Sequence, residues 1–126
     1  MFLLFAAVTF STLDVQPRRF PDTAQVLAIN SDEEWRQFSV EPPPAVDFKT
    51  GTVIAVFAGE RPTGGWRTRV TRVDRTGDAC KVSYEVVGPP RGAMVTQVIT
   101  HPFAVVLVRG KCSKVTADVQ GKARTR

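Results

Sequence analysis

Apolar and polar positions divide this chain into short stretches of β character. Residues 52–58, TVIAVFA, are β-branched, aromatic or small without a polar break. An apolar run too short for a helix and uninterrupted by charge predicts a strand buried on both faces, the core strand of the domain. Past it the pattern switches to strict alternation. Trp66, Thr68 and Val70 point one way while Arg67, Arg69 and Thr71 point the other, a half-buried antiparallel strand with a basic outer face. Cys80, Val82, Tyr84 and Val86 alternate with Lys81, Ser83 and Glu85 in the same manner, after a turn at residues 74–78, DRTGD. Residues 24–29, 94–100, 103–108 and 115–119 complete the strand candidates. One helix is expected: Ser31 with Glu34 three residues on fits a capping box, and Asp32, Glu33 and Glu34 complement the helix dipole. Trp35 and Phe38 share a face at i, i+3 spacing, and the helix ends by Glu41, ahead of Pro42, Pro43 and Pro44. Short strands at intervals of about ten residues, separated by turn signals, indicate a mainly β fold. The expected architecture is an antiparallel β-sandwich or partly open barrel carrying one short N-terminal helix.

Two loops rich in proline and glycine punctuate this pattern. After Glu60, Pro62 presets φ for a turn that starts at Arg61, Gly64 suits its last position, and Gly65 takes a positive φ before Trp66 opens the next strand. Gly88 to Gly92 reads GPPRG, and strand parity returns it to the same end of the sheet as RPTGG. Arg61 and Arg91 therefore project from neighbouring loops whose ordering cost on binding is low. Arg61, Pro62, Thr63, Gly64, Gly65, Trp66, Arg91 and Gly92 are the candidate partner-binding residues, with Trp66 favoured as a core anchor over a partner-facing ring.

The motifs EEWRQF at residues 33–38, VDF at 46–48, ERPTGGW at 60–66, MVTQVIT at 94–100 and HPF at 101–103 resemble, as an ordered set, the PrcB C-terminal domain family. The resemblance spans residues 26–108, and Trp66 stands where family members often carry Tyr. It implies a non-catalytic module that assembles with or stabilises an exported protease complex, with a protease or protease-complex subunit as its protein partner. A second likeness is to chagasin-like inhibitors of cysteine peptidases, small β-sandwiches with a TTG-type loop. This chain has TGG at Thr63 to Gly65 but no evident Arg-Pro-Trp loop near its C-terminus.

Composition narrows the field further. The 126 residues suit one core, and a net charge of +5 favours acidic partners or simply a solvated basic face. Nucleic-acid binding would need exposed rings for stacking, whereas one Tyr and two Trp mostly fit core positions. Two Cys and one His cannot build a tetrahedral zinc site without carboxylate help, so neither metal nor cofactor is expected. His101, beside Pro102 in an apolar run, reads as structural, and no nucleophile constellation is visible; the chain is expected not to be an enzyme. Residues 1–10 are apolar apart from Thr9, long enough for an export-signal core and too short to span a bilayer. The expected layout is a signal-like segment and linker over 1–20, a single domain over 21–120 and a basic tail over 121–126. Export favours a disulfide between Cys80 and Cys112. A strand of eight or so residues carries the chain about 26 Å from Cys80 to the RPTGG end. A bridge therefore requires Cys112 at the opposite end, which favours a kink at Pro102 in one strand from Met94 to Arg109 over a tight reversal containing a cis proline.

Overall fold

A computed structural model describes residues 6–120. Its centre is the unbroken apolar run. Strand β4 (Gly51–Phe57) is buried at all seven positions. It lies in a four-stranded sheet with β2 (Phe10–Thr12), β7 (Phe103–Arg109) and β3 (Gln25–Ile29), in the order β2-β7-β4-β3. The second sheet holds β1 (Ala6–Ala7), β5 (Arg67–Thr76), β6 (Ala79–Val87) and β8 (Lys114–Val119), in the order β1-β5-β6-β8. All pairings are antiparallel except β6 with β8, which is parallel. The fold is thus a β-sandwich rather than a closed barrel.

Two apolar layers explain why β4 alternates with nothing. Ile54 and Val56, with Ala104, Val106 and Val108 of β7, face Val70, Val73, Val82, Tyr84 and Val86 across the sandwich. Val53, Ala55, Phe57 and Val105 point the opposite way, where Ile29, Trp35 and Phe38 cover them. Each fully buried Val, Ile or Phe among them contributes about 1.5–3 kcal/mol relative to exposure. Ile29 ends β3, and the two rings belong to helix α1 (Asp32–Phe38). Its Ser31 Oγ accepts from Glu34 N at 3.1 Å, and Glu34 Oε1 accepts from Asn30 N at 2.6 Å, so the expected capping box forms with its return bond one residue early. Trp35 and Phe38 are the two buried helix residues, and Trp35 Nε1 donates to Glu41 O at 2.8 Å, pinning the chain that leaves the helix.

Several expectations change. The alternation of β5 breaks at a register shift between Val70 and Arg72, a bulge that leaves Thr71 and Arg72 both exposed and returns Val73 to the core. Asp74, expected in a turn, belongs to β5; it is buried and accepts from Arg72 Nε at 2.7 and 2.9 Å. The expected strand over 94–100 does not form. Its sequence is β-prone, but no strand lies alongside it, and its single ladder contact is a bridge between Thr100 and Arg61. Residues 88–102 are instead one long loop at the RPTGG end. Pro102 makes neither of the two shapes expected of it: there is no cis peptide among the described residues, and β7 begins only at Phe103, paired with Phe57. From there β7 runs away from RPTGG, which is what the bridge required. Cys80 and Cys112 are disulfide-bonded, with Cα atoms 5.6 Å apart.

The N-terminal run enters the sheets. Ala6 and Ala7 pair with Arg75 and Asp74, Val8 N donates to Val73 O at 2.9 Å, and residues 10–12 cross to pair with β7. The stretch expected to be a linker also packs: Leu13 and Val15 join the layer under α1, and Arg18 N donates to Phe38 O at 2.7 Å. Residues 1–5 and the basic tail lie outside the described residues.

Candidate functional site

Both proline- and glycine-rich loops do meet at one end of the sandwich, but as one stitched structure rather than two free tips. Arg61 and Thr100 exchange backbone hydrogen bonds at 2.8 and 2.9 Å. Thr100 Oγ1 donates to Thr63 O at 2.7 Å, and Gly64 N donates to Thr96 O at 2.9 Å. Gly65 has φ +86°, and a Cβ there would stand 2.9 Å from both Pro89 Cβ and Val95 Cγ1. A glycine is required twice over, by the backbone and by the close approach of the second loop. Gly64 also passes close to Thr96, whose Oγ1 would clash with an added Cβ.

The candidate residues divide by exposure. Arg61 is half-buried, its guanidinium 4.9 Å from the Trp66 ring centroid and its Nη2 donating to Ala58 O at 3.4 Å. This corrects the expectation of an arginine on an exposed loop tip: the Trp66 ring, one residue ahead of β5, holds it. Trp66 is itself half-buried and packs against the layer between the sheets, as an anchor should. Pro62 is exposed and Thr63 half-buried. Arg91 and Gly92 stand out on the tip of the second loop, where Ala93 N closes a turn on Pro90 O at 3.0 Å and Gly92 has φ +81° with open space around it.

What residue pattern missed is apolar. Met94 is 100% exposed, Ile99 61% and Val98 57%, all on residues 88–102. Assigning MVTQVIT to a strand hid them, because strand alternation would have placed half of the run inward. Three large apolar side chains of one loop segment, together with Arg91 on the same loop, are thus left facing water.

The opposite end is built for fixity. Thr52 Oγ1 donates to Asn30 Oδ1 at 2.6 Å and accepts from Cys112 N at 2.9 Å, while Asn30 Nδ2 donates to Cys112 O at 3.1 Å. Both cysteines are in the bridge, so neither offers a thiolate to His101.

The stretch that runs from β4 through both loops to the end of β7, residues 52–109, matches the model of one family, PrcB C-terminal. This segment belongs to the PrcB C-terminal family. The match contains the whole loop end, from Arg61 through Trp66 and from Arg91 through Ile99, while α1 and Cys112 lie outside it. No curated protein and no solved structure matches the chain. Among the described residues, no helix is long and apolar enough to cross a membrane.

Proposed function

We propose that this domain is a non-catalytic binding module that docks a protease, or a subunit of a protease complex, through its loop end. The observation that carries the reading is the exposure of Met94, Val98 and Ile99 on a loop that is fastened at both Thr96 and Thr100. An apolar surface held in place by backbone hydrogen bonds loses little conformational freedom on binding, so more of its burial appears as affinity. Arg91 and Gly92 are exposed on the same loop, and Arg61, held over the Trp66 ring, fastens that loop at Thr100. Membership in the PrcB C-terminal family supports the protease side of the reading. The disulfide supports maturation in an oxidising compartment outside the cytosol. Photo-crosslinking tests the docking surface: a benzoylphenylalanine at Met94 is expected to capture a protease-complex protein, and the same group at the exposed Ser113, at the other end of the sandwich, is expected to capture none. Capture from Ser113 alone would move the interface to that end. Inhibition of a papain-type peptidase by the isolated domain would instead favour the chagasin-like reading.

A further inference from the structure

Three side chains distant in sequence converge beside the loop end. Asp22, Glu60 and His101 each offer one ligand atom, and these atoms all lie within 4.8 Å of one another. We propose that they form a binding site for a first-row divalent cation, with Zn²⁺ the best match to one imidazole and two carboxylates. The site is independent of the docking surface. Zn–N and Zn–O bonds of about 2.0–2.2 Å place the donors of a tetrahedral ion about 3.3 Å apart. His101 Nε2 and Asp22 Oδ1 stand 3.0 Å apart already. Glu60 is exposed and closes the remaining gap by side-chain rotation. The fourth position is left to water or to a donor from a partner.

The backbone assembles these donors before any ion arrives. Glu60 N donates to Asp22 O at 2.9 Å, and Ala58 N donates to Pro102 O at 3.0 Å, so all three segments are tied to the end of β4. Gly59, at φ +89°, allows the approach: a Cβ there would stand 3.1 Å from Asp22 O. The Phe20 ring, 6.0 Å from the His101 ring, flanks the imidazole. Here the carboxylates supply what two cysteines and one histidine lack. The cation would clip the segment before β3 onto the loop end.

The test is isothermal titration of ZnCl₂ into chelator-treated, disulfide-intact full chain carrying no histidine tag. One Zn²⁺ per chain is expected, with a dissociation constant on the order of micromolar, and a rise in Tm on binding. His101→Ala is expected to abolish binding, and Asp22→Asn and Glu60→Gln each to weaken it by about tenfold or more. Asp22→Asn retains the backbone carbonyl that Glu60 N bonds, so loss of binding at unchanged apo Tm assigns the ligand rather than the fold. The absence of a saturable site, or Zn²⁺ affinity unchanged in Asp22→Asn and Glu60→Gln, would overturn the proposal and leave a surface His–Asp pair.

Discussion

Gly65 and Gly92 offer a controlled comparison, because they share a backbone conformation and differ in surroundings. Their φ values are +86° and +81°, so replacement by alanine imposes a similar backbone strain at both, about 1–2 kcal/mol. At Gly92 nothing lies within 4 Å of the added Cβ, and strain is the whole cost. At Gly65 the same atom meets Pro89 and Val95 at 2.9 Å, neither of them the free end of a flexible side chain. Overpacking of this kind adds about 1–3 kcal/mol. Gly65→Ala is therefore expected to destabilise by about 2–5 kcal/mol, and Gly92→Ala by only the strain. For a domain of this size each kcal/mol corresponds to about 3–5 °C in Tm. Urea unfolding of the oxidised protein, with m values compared to confirm that both variants remain two-state, gives the difference directly. Hydrogen exchange at the Gly64 amide, which donates to Thr96 O, reports whether the second loop moves away to make room. Equal costs for the two variants would refute the claim that the loops are packed against each other at Gly65.

The two arginines should also separate. Arg61→Ala, which removes the contact over Trp66, is expected to cost about 1 kcal/mol in urea unfolding, and Arg91→Ala less than about 0.5 kcal/mol. Trp35→Ala, at a fully buried side chain whose indole is 5.5 Å from the Phe38 ring, is expected to cost about 3–5 kcal/mol, read as a lowered urea midpoint. Replacing both cysteines by serine opens a covalent loop of sequence separation 32 and is expected to lower stability by about 3–4 kcal/mol on the chain-entropy model, measured against the oxidised protein.

The parts of this fold legible in the residues are those governed by local chemistry or by a single periodicity. The unbroken run of β4 announced burial on both faces, Ser31 and Glu34 announced the helix start, and Gly65 announced its own positive φ. The pairing of the two loops followed from strand parity, and the place of Cys112 opposite RPTGG followed from the expected bridge to Cys80. What escaped depends on partners that periodicity does not name. MVTQVIT has the composition of a strand, but a strand exists only where another edge meets it, and here one bridge at Thr100 is all that does. Residues 1–10 read as an export-signal core because apolar residues serve a signal and a sheet edge equally well, and the pairing of residues 6–7 with β5 and 10–12 with β7 depends on edges that periodicity does not name. Arg61 looked free because its support, Trp66, lies across a turn whose path was known but whose side-chain stacking was not. Asp22, Glu60 and His101 stand too far apart in sequence for any spacing motif to join them.

The central claim is that the exposed apolar loop end is the docking surface for a protease, and a paired pull-down tests it most directly. Met94→Asp with Ile99→Asp places two charges where the account needs apolar contact, at positions 100% and 61% exposed, so the fold is expected to keep its urea midpoint to within about 0.5 kcal/mol. Immobilised wild-type domain, presented with the exported protein fraction of its own source, is expected to retain a protease or protease-complex subunit identified by mass spectrometry, and the double variant to lose it. Equal retention by both proteins, or a wild-type domain that retains no such protein, would contradict the account.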